Sequence, residues 1–423
     1  MPRAPRPDDL YRLRIATEPR LSPDGQHVAV TLQTVAPGFD GYRHALWLVP
    51  TEGRETPRQL TLGARHDRQP RFSPDGRTLA FISDRRALVE EEPGKAASND
   101  DRDRKPARED RDQVYLLPLD GGEARRLTDL PRGVDAFEWS PDGTRLVVVT
   151  ASHGATRAAD DRQRGIHRKA ESNASTPPPS DYRFVDRLDY MLNGAGFTYD
   201  RVNHLWLVDV ATGEASRLTD GRAADGEPAW SPDGRRIAFT SNRRRNADLL
   251  SERLDIHVVD VGSKAVTAVT RGPRSTFFVP TWLPDGVTIA ALGHRLEGRS
   301  GSRKDIWLFA ADGSDASPTG GRNISAAHDL MPGSGMSSDL TRGEGPRLIP
   351  SKGGRWLAFT APIDGAYELW RIAVADGRLE RLTNGRQYIS GWDGVPHGSG
   401  STRARGAEAF LTETSTLQPA GGV

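Results

Sequence analysis

The chain of 423 residues contains no cysteine. No disulfide framework can hold it together, a composition that fits a reducing compartment without excluding an oxidising one. It carries almost no charge excess: 58 Lys and Arg stand against 57 Asp and Glu, a formal net charge of +1. That balance removes the basis for binding nucleic acid or an anionic membrane surface. Long apolar runs are also missing, and none approaches the length that crosses a bilayer. Met1 to Leu10 mixes proline, arginine and aspartate without the apolar centre of a secretory signal. A cytoplasmic protein is the expectation. The histidines show no metal-ligand spacing, so neither metal nor cofactor is expected.

Against these absences stands an internal repeat. Ser-Pro-Asp-Gly occurs at Ser22 to Gly25, Ser73 to Gly76, Ser140 to Gly143 and Ser231 to Gly234. Two decayed copies follow, Leu283-Pro284-Asp285-Gly286 and Ser351-Lys352-Gly353-Gly354. Proline presets φ for the second position of a type I turn, aspartate suits the third, serine bonds the backbone nearby, and glycine takes the left-handed conformation. Each copy therefore joins two antiparallel strands. A third strand follows each hairpin, as in Leu46-Trp47-Leu48-Val49, Leu205-Trp206-Leu207-Val208 and Ile306-Trp307-Leu308-Phe309. A fourth segment closes most units, as in Arg126-Leu127-Thr128, Arg217-Leu218-Thr219 and Arg381-Leu382-Thr383. Four short strands per repeat define a propeller blade, and the chain is expected to be an all-β propeller of six blades plus a truncated seventh.

The turn glycines at 25, 76, 143, 234, 286 and 354 are 51, 67, 91, 52 and 68 residues apart, against roughly 40 to 50 for a compact blade. The excess falls in insertions between strands two and three, at about 87–112 and 152–203. The expected division is an amino-terminal arm with a short helix over 1–20, six blades over 21–388, and a degenerate seventh over 389–423. In the arm, Asp8 is placed to cap a helix carrying Leu10 and Leu13 on one face. The last region keeps Ile389-Ser390-Gly391-Trp392-Asp393 and Ala409-Phe410-Leu411-Thr412 but has lost its turn motif. Its missing strands are expected to leave sheet edges open.

Repetition also decides how single residues read. Asp24, Asp75, Asp142, Asp233 and Asp285 recur at one turn position and are read as hairpin residues, not metal ligands. Trp47, Trp206, Trp307 and Trp370 recur in the third strand and are assigned to packing between blades. Asp101 and Asp103 begin like a calcium loop, but Lys105 and Pro106 stand where a ligand and the glycine belong.

The opening Asp8-Asp9-Leu10-Tyr11-Arg12-Leu13 running into Pro19 to Gly25 resembles the amino-terminal half of bacterial acylaminoacyl peptidases, members of the prolyl oligopeptidase family. So does the stretch from Tyr182-Arg183-Phe184 through Gly194-Ala195-Gly196-Phe197 to His204-Leu205-Trp206-Leu207-Val208-Asp209. The resemblance implies a propeller that gates and selects substrates for a carboxyl-terminal α/β-hydrolase domain holding the catalytic serine, aspartate and histidine. That domain's nucleophile stands in a Gly-x-Ser-x-Gly elbow, which this sequence lacks; its nearest approach is Gly335-Met336-Ser337-Ser338-Asp339. The chain is therefore expected to be a truncated or fragmentary form, inactive alone, with an α/β-hydrolase domain and peptides or proteins as partners. A stand-alone propeller that binds protein or peptide, similar to the Tol-system propeller, is the other reading. The segment from Tyr182 to Asp200 is dense in aromatic and charged groups. By resemblance it lies where propeller meets hydrolase, and Arg183, Arg187 and Tyr190 are its substrate-binding candidates.

Overall fold

A computed structural model of the chain describes residues 6–36, 38, 41–52, 55–85, 111–153, 188, 190–192, 196–197, 201–250, 252–295, 302–334, 345–385, 388–394 and 410–415. Blade one is β1 (Arg14–Leu21), β2 (His27–Val35), β3 (Tyr42–Pro50) and β4 (Arg58–Gln59). Blade two is β5 (Arg68–Phe72), β6 (Thr78–Ser83), β7 (Gln113–Pro118) and β8 (Arg125–Arg126). Blade three begins with β9 (Ala136–Trp139) and β10 (Arg145–His153). A small hairpin of β11 (Met191–Leu192) and β12 (Gly196–Phe197) precedes its outer strands β13 (Arg201–Asp209) and β14 (Ala215–Arg217). Blade four is β15 (Asp225–Trp230), β16 (Arg236–Ser241), β17 (Asp255–Asp260) and β18 (Val266–Ala268). Blade five is β19 (Thr276–Trp282), β20 (Thr288–His294), β21 (Asp305–Ala310) and β22 (Arg322–Asn323). Blade six is β23 (Ile349–Pro350), β24 (Trp356–Ile363), β25 (Ala366–Ala373) and β26 (Leu379–Arg381).

Every blade is an antiparallel four-stranded sheet, so the six-bladed expectation holds. A seventh unit consists of β27 (Tyr388–Gly394) paired with β28 (Phe410–Ser415). It joins blade six through a parallel bridge between Tyr367 and Tyr388. Among the described residues no helix is long and apolar enough to cross a membrane.

The repeated turns form as their chemistry requires. In blade two the Ser73 hydroxyl donates to Asp75 Oδ1 at 2.5 Å, and that oxygen also accepts from Arg77 N at 3.1 Å. The Ser73 hydroxyl hydrogen bond, followed by that backbone bond, holds the Asp75 carboxyl below its ordinary pKa. In blade five, where leucine replaces the serine, Thr288 supplies the hydroxyl and donates to Asp285 Oδ2 at 2.7 Å. Gly76 has φ +72°, and a Cβ built on it would lie 3.5 Å from Pro23 of the preceding blade's turn. Gly76→Ala therefore meets backbone strain without a clash, and a urea titration is expected to show a loss of about 1 kcal/mol.

The core lies between blades. Successive residues of a strand point to opposite faces, and in the second strands both faces are buried. Ala80 and Ile82 pack with Phe137 and Val148 of blade three, whereas Leu79 and Phe81 pack with Ala29 and Leu46 of blade one. The same sharing recurs at the later seams, ending with Ala358 and Leu369 against Ile389 and Trp392. This explains why these strands read as continuous apolar runs. Trp370 lies in such a core, and Trp206 and Trp307 pack against theirs, as structural residues would.

The inner ring holds a device marked in four of the repeats by a proline three residues before the turn motif. Glu18, Gln69, Glu227 and Val279 each precede a proline and take a left-handed φ at a bulge in the first strand of their blade. Glu18 Oε2 accepts from Gln69 N of the next blade, and Glu227 Oε2 accepts from Val279 N of the next. Two bulges thus become inter-blade clasps. The arm also differs from expectation. Its 3-10 turn spans Pro7–Arg12 and is closed by Asp9, which accepts from Arg6 N, not by Asp8. Ile15 belongs to β1, because Arg14 to Thr17 pair with β2 and satisfy their backbone groups in the sheet.

Candidate functional site

The chain direction divides the ring into two faces. The Ser-Pro-Asp-Gly turns and the turns from third to fourth strand lie on one. The connections from second to third strand, and from each blade to the next, lie on the other. Strands β6 and β10 end on this second face, where the buried Asp67, Asp225 and Asp255 lie.

Two blades use the same construction there. Asp67, just before β5, is fully buried; it accepts from Arg85 Nη2 at 2.6 Å, Arg85 Nε at 3.0 Å and Ser83 Oγ at 2.7 Å. Asp225, at the start of β15, accepts from Arg243 Nη2 at 2.9 and 3.0 Å and faces His204 Nδ1 at 3.3 Å. Burial on its own would raise the Asp225 pKa, but the bonds from His204 and Thr219, with the Arg243 charge, outweigh it and hold the carboxyl below its ordinary range. Arg85 and Arg243 also lie over the rings of Phe81 and Phe239, at 5.2 and 5.4 Å. Beside Asp225, Arg244 Nη2 pairs with Asp255 Oδ2 at 2.7 Å. Burial pushes the Asp255 pKa up to about 6 despite that partner, and burial with the nearby Arg243 charge pulls His257 down to about 4.

A second repeated device was hidden in the Arg-Leu-Thr segments. The hydroxyls of Thr61, Thr128, Thr219, Thr270, Ser325 and Thr383 each accept from the third strand of their own blade, at Leu46, Val114, Leu205, Ile256, Ile306 and Leu369 N, all at 2.9 Å. Three of them pass the hydroxyl hydrogen to an acid within that strand, Asp255, Asp305 or Glu368. The recurrence of threonine one place after leucine was the available signal.

A pair of clefts on this face bears on the site. The smaller, about 450 Å³, lies between blades one, two and three. On its wall Asp84 grips His66 twice, accepting from the backbone N at 2.9 Å and meeting Nδ1 at 2.8 Å. His44 stands 5.4 Å from His66, ring centre to ring centre. Asp135, which accepts from Asn203 Nδ2 at 2.9 Å, is raised in pKa chiefly by burial. The larger cleft, about 1010 Å³, runs along the 242–249 loop of blade four and the 220–223 connection, with Leu188 and Tyr190 from the blade-three insertion at its rim. Of the substrate-binding candidates, Tyr190 thus lines a cleft and is exposed. Arg183 and Arg187 lie outside the described residues, as do Asp101, Asp103 and the segment Gly335 to Asp339. The arginines brought to the cleft are Arg222, Arg243, Arg244 and Arg245, which no motif in the sequence singles out. Among the described residues no cluster of three or more metal-binding side chains occurs.

Fold and site together define a β-propeller that presents an arginine-rich, cleft-bearing face. The chain is 36% identical over 253 residues to the uncharacterized peptidase YuxL of Bacillus subtilis, a match covering 60% of this chain and 33% of that one. Its fold is similar to that of the acylaminoacyl peptidase of Pyrococcus horikoshii, with a TM-score of 0.60 at 16% identity, covering 90% of this chain and 48% of that one. It is also similar to the β-propeller domain of the Trilobed protease from Pyrococcus furiosus, described as having an open velcro topology. There the TM-score is 0.52 at 15% identity, with 90% of this chain and 87% of that one covered. No family model matches the chain. The chain spans about a third of the length of the Bacillus relative and about half that of the acylaminoacyl peptidase.

Proposed function

We propose that this chain is the gating and substrate-selecting propeller of an acylaminoacyl-peptidase-like serine peptidase. Its partner in this reading is an α/β-hydrolase domain that supplies nucleophile, base and oxyanion hole. The observation carrying the reading is the 36% identity to a peptidase of Bacillus subtilis, extending over 253 residues of this chain. The fold adds support, because nine-tenths of the chain superposes on about half of an acylaminoacyl peptidase. A ring with a packed seam between every pair of blades is stiff, so size selection falls to its channel and recognition to loops on its cleft-bearing face.

The division of labour makes an expected outcome. Acyl transfer needs a nucleophile, its base and an oxyanion hole assembled together. The purified chain is expected to leave acyl-amino-acid anilides intact and to take no label from a fluorophosphonate probe. Joined to the hydrolase domain of the Bacillus relative, it is expected to suppress cleavage of casein while sparing a tripeptide anilide. Substrate-competed labelling of a serine in the chain by itself would overturn the reading, as would equal cleavage of casein with and without the propeller.

A further inference from the structure

The larger cleft differs from the rest of this face in what it leaves uncovered. Leu249 is 73% exposed and Leu188 63% exposed at its edge, with Tyr190 beside them. Scattered exposed leucines need no explanation, but two meeting an aromatic ring at the mouth of one cleft form an apolar rim. Arg222 and Arg245 line the same space, and Arg245 is exposed with no ion pair to any described residue. The floor is rigid: Arg243 and Arg244 are held by Asp225 and Asp255. Beneath it, Arg244 Nη1 and Asn242 Oδ1 are buried without a hydrogen-bond partner among the described residues. Both atoms are closed off from the cleft, so they bear on the packing of its floor and not on a ligand.

We infer that this cleft is a binding site for the carboxyl-terminal end of an extended peptide with an apolar penultimate residue. A terminal carboxylate suits the guanidinium of Arg245, which can bind it through two parallel bonds. Asp220 and Asp248 also line the cleft; they match the amide hydrogens of an extended chain and penalise a ligand that is only an anion. An apolar side chain covers Leu188 and Leu249, and the cleft volume is at the upper end of the usual range for ligand sites, which extends to about 1,000 Å³. The inference deepens the substrate-selecting reading and rests on it for its setting, but the binding belongs to this chain alone.

The test uses the whole chain and a fluorescein-labelled Gly-Gly-Ala-Leu-Glu with a free carboxyl end, compared with its carboxamide. Fluorescence anisotropy is expected to show saturable binding of the free acid and about tenfold weaker binding of the amide. Arg245→Ala is expected to weaken the free acid about fivefold and to leave the amide nearly unchanged. The residue is exposed, and an unaltered melting curve separates lost contact from lost fold. Equal affinity for acid and amide, or no saturation up to about 1 mM, overturns the site. If the acid binds as expected but the propeller fails to restrict a joined hydrolase, the site stands and the gating reading falls. Restriction without binding overturns the site and leaves the gating reading standing.

Discussion

Asp393→Ala is expected to destabilise the ring by about 3 kcal/mol. The Asp393 carboxylate, nearly buried in β27, holds three units together. Oδ1 pairs with Arg347 Nη2 of the blade-six side at 3.1 Å, and Oδ2 accepts from Leu21 N of blade one at 2.9 Å. Arg347 also donates to Trp392 O at 3.2 Å. Removing the carboxylate takes this counter-charge from a partly buried guanidinium and leaves a main-chain donor without its acceptor, which is costlier than losing two exposed bonds. Asp393→Asn keeps an acceptor for Leu21 and is expected to lose about half as much. Urea titration gives the size of the effect and native-state hydrogen exchange gives its place. Faster exchange confined at first to β1 and β27 is the expected pattern. A change below about 0.5 kcal/mol, the level of an ordinary surface substitution, would show that the ring does not depend on this contact.

The second large effect is one that the unaltered protein conceals. Asp255 has a folded pKa of about 6 against 3.8 for the free group. Between those values the folded chain holds a proton that the unfolded chain has lost, so this group's contribution is full below about pH 4 and is lost as pH rises to about 6. His257 has a folded pKa of about 4 against 6.5. Between those values the unfolded chain takes up a proton that the folded chain refuses, so its contribution grows as pH rises from about 4 to 6.5. Each slope amounts to about 2 kcal/mol between pH 4.5 and 6, and the two run in opposite directions. Asp255→Asn is expected to expose the rise: relative to the parent, the variant gains about 2 kcal/mol over that interval. His257→Phe is expected to expose the fall, losing a similar amount. The Arg244 attraction is already contained in the folded pKa of Asp255, so its loss adds no separate slope in this window. Urea midpoints at the two pH values decide the matter, and parallel pH profiles for parent and variants would refute the assignment.

The parts of this structure that sequence could reveal were those fixed by local chemistry. Each turn needs its own glycine, and most also keep the proline and aspartate, so six hairpins stood in the open and the number of blades followed from them. The parts that stayed hidden depend on a neighbouring blade. Glu18 looks like an ordinary surface acid until its carboxylate meets Gln69 N across a seam, and no spacing within one repeat encodes that meeting. The same holds for Arg244 and Asp255, which face each other only once the blade-four loop has folded back over β17. Tyr190 was named for its aromatic surroundings in the sequence, whereas the arginines that share its cleft come from blade four and the connection before it. The arm was overextended because Arg14 to Thr17 lack the alternation of a half-buried strand, and only their pairing with Leu32 to Thr34 and Thr31 reveals them as β1.

The seams also bear on how the molecule is assembled. Trp139 donates to Arg71 O, Trp230 to Glu138 O and Trp282 to Ala229 O, each indole reaching the blade made just before its own. A chain emerging from the ribosome in order can therefore build every blade against a finished predecessor, and its growing array gains stability one unit at a time. The closing seam, where β1 meets β27 and β28, cannot form that way. Leu21 must wait for Asp393, 372 residues later, and the entropy of drawing those distant segments together falls on a single late step. Before that step the array is an arc with two free ends, able to join the end of another copy as readily as its own. Synthesis at high concentration should therefore yield ring-exchanged oligomers, most of all when the Asp393 carboxylate is absent.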